Sequence, residues 1–171
     1  MQNKYYYLVA SLPFLKFAQE PPISKSVFLA ECEKWLAPED MRAVLSMDLT
    51  SWDVRGEDTA VIRQWKNFDR ALKEDLSHIR AAKKSHEDYR APEALRGVTE
   101  LETPLAMEQA LEKIRWDFLE EKSAGYFFDV NGLALYFLKL QILQRLAGFD
   151  KDRGESTFYQ LCEVIYEQAV G

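Results

Sequence analysis

Residues 128–149 read FDVNGLALYFLKLQILQRLAGF. In a helix, where each residue turns about 100°, Leu133, Ala134, Leu135, Tyr136, Phe137, Leu138 and Leu140 cover every side of the cylinder. A helix that is apolar all round must be covered all round, which makes it the central core helix of its fold. Asp129 or Asn131 can cap its start, and Gly148 can end it. Asn131, Lys139, Gln141, Gln144 and Arg145 interrupt the stretch too often for a membrane span and suit a helix buried in protein.

Such a helix needs other helices to enclose it, and the flanking sequence supplies them. Downstream, Asp150–Glu155 is a polar turn with Gly154. Ser156 can cap a last helix with the stripe Phe158, Leu161, Cys162, Ile165, Tyr166 and Ala169. Upstream, Thr103-Pro104 is a helix start, with Thr as N-cap and Pro at the first position. Met107, Leu111, Ile114 and Phe118 follow at helical spacing before Gly125. Pro92–Thr103, with Gly97, is a connector. From Thr59 to Tyr89 no Pro or Gly appears, and Val61, Trp65, Phe68, Leu72, Leu76 and Ile79 recur every three or four residues. Over about 30 residues this helix would span roughly 45 Å, more than a small domain is wide, so it should project or form one arm of a hairpin.

Nearer the N-terminus the elements are shorter. Pro38, followed by Glu39 and Asp40, suits a helix start, with Met41, Val44, Leu45 and Leu49 inward. Ser26 can cap the helix before it, whose apolar residues are Val27, Phe28, Cys32, Trp35 and Leu36. Tyr5–Leu12 permits strand or helix. Thr50–Asp58, with Gly56, reads as a loop on which Trp52 can be exposed. The expectation is an all-α, single-domain bundle of about six helices with one long helix pair. Residues 1–57 hold N-terminal helices and a loop, 58–125 a long helical hairpin, and 126–171 the C-terminal core helices.

Composition agrees. A chain of 171 residues with 47% hydrophobic and 29% charged residues is globular. It can bury roughly 70% of its unfolded surface without disulfide or metal staples. Seven glycines and six prolines are too few for a many-turned β protein. A net charge of −6 argues against nucleic-acid binding by bulk charge. Cys32 and Cys162 form no C-x-x-C pair and read as reduced core thiols in a reducing compartment. Met1–Leu15 lacks the form of a targeting segment, because its apolar run is short, tyrosine-rich and broken by Pro13. A cytoplasmic protein is expected.

Motifs for chemistry are scarce. The sequence has no glycine-rich phosphate loop, G-x-S-x-G, H-E-x-x-H or EF-hand loop. His78 and His86 lie about 80° apart around their helix and roughly 12 Å apart along it, too far to share a metal ion. Neighbouring acids such as Glu120-Glu121 share one wet environment, whereas acid/base work needs unlike ones. No catalytic residue, cofactor or metal site is expected.

One charge pattern stands out. Arg63, Lys66, Arg70, Lys73, Arg80 and Lys84 fall within a sector about 100° wide on the long helix, away from its apolar stripe. Such a ridge on an acidic protein can dock on an acidic partner or an anionic lipid surface. It can equally be a solvated face partly paired with Asp69, Glu74 and Glu87. It can also pair with the acidic helix that follows, which carries Glu108, Glu112, Asp117, Glu120 and Glu121. The ridge and Trp52 are the candidate partner-binding residues.

Two stretches carry a resemblance. Tyr5-Tyr6-Tyr7-Leu8-Val9-Ala10-Ser11-Leu12-Pro13 resembles the opening of an uncharacterised bacterial family encoded among V-type (A/V-type) ATPase genes. Phe128–Arg145, with its Tyr136-x-x-Lys139-Leu140-Gln141-Ile142 core, resembles that family's late helix. The family is in turn similar to the C-type subunit of these ATPases (d in eukaryotes), an all-helical protein that sits on the membrane rotor ring and receives the central stalk. The resemblance implies a component or assembly factor akin to that stalk socket, without enzymatic activity. Its partners would be the central-stalk and membrane-ring subunits, met on the cytoplasmic face of the membrane. Gln141 stands near the place of the acidic residue in the socket's pattern, and no threefold helical repeat is visible, so a reduced version of the socket is implied. The alternatives are a free-standing helical adaptor that binds a partner helix in a groove, and an enzyme with a deep pocket of convergent polar groups.

Overall fold

The computed structural model describes residues 5–50, 53–56 and 58–149. Every regular element among them is helical. The α-helices are α1 (Tyr6–Ser11), α2 (Lys25–Trp35), α3 (Pro38–Leu45), α4 (Ala60–Ser85), α5 (Pro104–Ser123) and α6 (Val130–Ala147). Two 3-10 turns, Glu93–Leu95 and Val98–Glu100, lie between α4 and α5. The fold is an all-α bundle. No described helix is long and apolar enough to cross a membrane. The expected last helix, with Ser156 and Cys162, lies outside the described residues.

α6 is the hub. It packs against α2, α3, α4 and α5, and ten consecutive or near-consecutive residues from Leu133 to Leu143 are buried along it. The Asp129 side chain accepts from the Gly132 N–H at 2.9 Å and so caps its start. Gly132 is required for space: a Cβ there would come within 2.9 Å of the Tyr126 carbonyl oxygen. That close approach folds the 126–128 segment tightly over the first turn of α6. Phe28 of α2 packs one turn further along α6, its ring stacked 5.4 Å from Tyr136 and 5.2 Å from Phe137.

α4 and α5 form the long helix pair. Trp65 and Phe68 on α4 meet Phe118 on α5, and toward the other end Leu72, Leu76 and Ile79 cluster with Leu111, so the two helices run antiparallel. At 26 residues α4 is about 39 Å long. The Thr59 hydroxyl oxygen accepts from the Ile62 N–H at the start of α4 and its hydroxyl lies 2.7 Å from Asn131 Oδ1, tying that start to the start of α6. α5 begins as expected, with Thr103 accepting from the Ala106 N–H and Pro104 at the first position.

Several boundaries differ from the sequence reading. α2 is capped by Ser24, which accepts from the Val27 N–H, and Ser26 sits inside the first turn with its hydroxyl 2.8 Å from that of Ser24. Tyr5–Leu12 resolves as helix. α4 stops at Ser85, four residues before Tyr89, because His86 takes left-handed φ 55° and both it and Glu87 donate back to the Ala82 carbonyl. Val27, Trp35 and Leu45, expected inward, are exposed. Val27 lies 100° round the helix from Phe28, while Trp35 and Leu45 are the last residues of helices whose chain then turns away.

Candidate functional site

The basic ridge of α4 divides when placed in the fold. Arg63, Arg70, Arg80 and Lys84 are exposed. Lys66 is not on the ridge surface. It is 2% exposed, and its Nζ donates to Asp58 Oδ2 and to the Asp53 carbonyl, both at 2.8 Å. Asp58 also accepts from the Arg55 N–H at 2.8 Å. The loop before α4 is therefore folded back over the helix and pinned by a buried pair, which is the physical reason Lys66 left the ridge. A buried charge is tolerated only when paired and hydrogen-bonded. Lys73 is half-buried, 2.6 Å from Asp69 Oδ2 and 3.4 Å from the Leu49 carbonyl oxygen. Trp52 lies outside the described residues.

The acids of α5 face α6 more than the ridge. Glu120 pairs with Lys139 at 2.9 Å, and Lys139 also lies over the Trp116 ring. Arg145 pairs with Glu108 and Glu112, each at 3.2 Å. One α5 cation reaches back to α4: Arg115 Nε donates to Asp69 Oδ1 at 2.8 Å, and its Nη1 to Glu112 Oε1 at 3.0 Å. Lys73, Asp69, Arg115, Glu112 and Arg145 thus form one chain of charges across three helices. Glu112 is 1% exposed and its Oε2 has no hydrogen-bond partner. Burial holds the Glu112 carboxyl above its ordinary range, opposed by Arg115 and Arg145 and reinforced by Glu108 and Asp69.

Two clefts open beside this framework. The smaller, about 260 Å³, lies over the charge chain, bounded by Lys73, Arg80, Glu108, Arg115 and Arg145. The larger, about 890 Å³, lies between α3 and the loop before α4, and Glu39, Asp40, Asp48 and Asp58 line it together with Arg42 and Arg55. Three of its acids are held in structural contacts: Asp58 by Lys66, Asp40 by the Tyr5 hydroxyl, and Asp48 by Thr50. Hydrogen bonds from the Thr50 hydroxyl and N–H keep Asp48 below the usual carboxylate range. Elsewhere, the Cys32 thiol is pushed up to about 12 by burial and by the charge of Glu31, which makes it inert at neutral pH. His78 contacts the edge of Tyr89, and His86 is the left-handed residue closing α4. No metal-binding cluster occurs among the described residues.

Gln141, near the place of the acid in the stalk-socket pattern, is a strut. Its amide nitrogen donates to the Met47 carbonyl at 2.9 Å and its Oε1 accepts from the Leu49 N–H at 3.4 Å. It holds the chain leaving α3 against α6. A carboxylate there would accept but could not donate to Met47. Sequence reasoning singled out Gln141 but had no way to find its partners, 92 and 94 residues away. Neither did it find the Asp69–Arg115–Glu112–Arg145 chain, of which the Glu112–Arg115 spacing of three on one helix was the legible fragment.

No curated protein and no solved structure matches the chain. Residues 77–169, from the second half of α4 through α6 and beyond, match a family described as protein of unknown function (DUF2764). The match takes in the α5–α6 core, the charge chain from Glu108 onward and Gln141, and it covers more than half of the 171 residues; the chain belongs to the DUF2764 family.

Proposed function

We propose that this chain is a non-enzymatic component or assembly factor of a V-type ion-translocating ATPase, akin to its stalk-socket subunit and acting on the cytoplasmic face of the membrane. The reading rests on the resemblance of two stretches, Tyr5–Pro13 and Phe128–Arg145. One structural observation supports treating them as a unit: they pack directly on each other. The Tyr5 N–H donates to the Phe128 carbonyl at 3.1 Å, the Tyr136 hydroxyl to the Pro13 carbonyl at 2.9 Å across 123 residues of chain, and the Tyr6 and Phe128 rings lie 4.8 Å apart. A resemblance scattered over unrelated surfaces would carry less weight.

The mechanics are compatible with coupling. A part that transmits torque needs stiffness and charged grips more than a reactive site. α4 is long, braced along its length by α5, and carries exposed Arg63, Arg70, Arg80 and Lys84. The test is affinity purification of the tagged chain from its native membranes. Central-stalk or rotor-ring subunits should co-purify, and the double reversal Arg63→Glu and Lys84→Glu should release them at lower salt while the circular-dichroism spectrum stays unchanged. A chain that elutes without ATPase subunits defeats the proposal. The 890 Å³ groove favours the second reading, a free-standing helical adaptor. Recovery of one helical partner, without ATPase subunits, would select it.

A further inference from the structure

α6 is shorter than the helix it runs along. Its start is tied to the start of α4 by Thr59 and Asn131, and its other end, at Arg145, meets Glu108 and Glu112 in the first half of α5. α6 therefore follows α4 in the same direction, and with 18 residues against 26 it stops about 12 Å short. The small cleft of about 260 Å³ opens at that step, bordered by Leu76 and Arg80 of α4, Glu108 and Leu111 of α5, and Arg145 of α6. The sides of α4 and α5 that meet α6 continue beyond it. On α4, Arg80 and Lys84 repeat the angle of Lys73 to within about 20°, and both are exposed. On α5, Leu105 extends the stripe of Glu108 and Glu112 by one turn and is 38% exposed.

We propose that residues 156–169 of this chain dock as an amphipathic helix on the α4–α5 groove beyond the end of α6, with the apolar stripe over Leu76, Leu105 and Leu111. The stripe, Phe158, Leu161, Cys162, Ile165, Tyr166 and Ala169, needs an apolar surface to bury it. Position supports this one. Phe149, the last described residue, lies at the cleft edge, with Arg145 over its ring at 5.8 Å. Asp150–Glu155 reaches at most about 20 Å, so the receiving surface lies near the end of α6. Length agrees, since 14 helical residues measure about 21 Å. Charge selects the side. Residues 76–85 of α4 hold Arg80, Lys83 and Lys84 and no acid, while residues 154–171 hold Glu155, Glu163 and Glu167 and no Lys or Arg. Glu163 and Glu167 fall opposite the stripe, so the cations act on them across the width of the helix and not as ion pairs. The rival surface at exposed Leu45 lines the larger cleft, where four acids against two arginines repel an acidic segment. The family match, residues 77–169, takes in both the groove and the stripe. None of this depends on the ATPase reading.

The chain carries its own reporter. Cys162 lies in the stripe, and the only other cysteine, Cys32, is buried and inert at neutral pH. Alkylation of the full chain by iodoacetamide, followed at Cys162 by mass spectrometry, therefore reads whether the stripe is covered. Cys162 should react at least about tenfold more slowly in the native chain than in urea. Leu105→Asp sets a charge where the stripe would lie. Aspartate suits the first turn of α5, so the circular-dichroism spectrum should hold, and Cys162 should react at least about tenfold faster than in the unaltered chain. Phe127→Asp, equally a charge at an exposed apolar position but before the start of α6, should leave the rate unchanged. If Leu105→Asp disturbs the fold, the double reversal Arg80→Glu and Lys84→Glu, at exposed positions, decides: it should raise the rate about threefold in low salt, and the gain should shrink in high salt. Cys162 reacting as fast in the native chain as in urea, protection untouched by Leu105→Asp or by the double reversal, or equal release by Phe127→Asp would each overturn the proposal.

Discussion

The two apolar clusters of this molecule share α4 and α5 but are closed in different ways. The larger cluster draws buried residues from all six helices, with α6 at its centre and Leu8, Phe28, Cys32, Val44, Trp65 and Leu119 around it. The smaller one, toward the far end of the helix pair, consists of Leu72, Leu76, Ile79 and Leu111, closed by Leu95 and Val98 from the two 3-10 turns. Phe68, stacked on Phe118 at 4.0 Å, touches both. The first cluster is enclosed by helices on several sides. The second is two helices and a short irregular cover. A residue in a deep core cannot be replaced by solvent or by relaxation of its neighbours, whereas a thin cover can settle into a gap. The near end should therefore set global stability and the far end should open first.

The largest expected effect lies at the near end. Phe28 is fully buried and stacked between the rings of Tyr136 and Phe137, so Phe28→Ala removes an aromatic from a site with no room to collapse. It should cost about 3–5 kcal/mol, read as a drop in the urea midpoint. A cost under about 1 kcal/mol, far below the range for such truncations, would mean that α2 is not part of the main core. Leu95→Ala, in the cover of the far cluster, should cost about 2 kcal/mol, at the low end for leucine truncation. Its signature is regional. Hydrogen exchange should accelerate for amides in the second half of α4 and the first turns of α5 and stay slow in α6. Uniform acceleration would show that the two clusters unfold as one and would erase the contrast.

The same contrast governs what could be read from the amino-acid sequence. Signals confined to one helix were legible: Thr103 before Pro104, Pro38 before two acids, Asp129 before α6, and an apolar surface on all sides of Val130–Ala147. These depend on chemistry within a turn or two of the residue concerned. The ridge rests on the same kind of periodicity, which misplaces Lys66 because it reports a residue's angle on its helix and not what covers that angle. Near the start of α4, Asp53 and Asp58 of the preceding loop engage Lys66, while further along Arg80, at a similar angle, is exposed. Tyr5–Leu12 was ambiguous for the opposite reason. Six helical residues give too short a window for periodicity, and it is packing in the main cluster that turns Leu8 inward. The charge chain was out of reach because Asp69–Arg115 and Glu112–Arg145 join residues that only tertiary folding brings together.

The smallest effect tests that charge chain, which lies where the two clusters meet. Glu112 is buried, and desolvation outweighs its attraction to Arg115 and Arg145, so its carboxyl titrates above the ordinary 4.5 in the folded chain. In the unfolded chain it returns to the ordinary value. Between those two points the folded state holds more proton than the unfolded one, so stability falls as pH rises through that window and levels off above the folded value. Asp48 works in the opposite sense. Its carboxyl is held low by Thr50, and stability from it is present above the ordinary 3.8 and fades as pH falls below that. The two windows lie on either side of the ordinary carboxylate range, so a pH series can separate them. Subtracting the stability of Glu112→Gln from that of the wild-type chain, at each pH from about 4 to 8, should leave a curve that declines with rising pH and then flattens. A difference that rises with pH would mean that the arginines hold Glu112 ionised more strongly than burial opposes it. The carboxylate would then be a net brace between α5 and α6, and the junction of the two clusters would owe its charge chain to attraction outweighing desolvation.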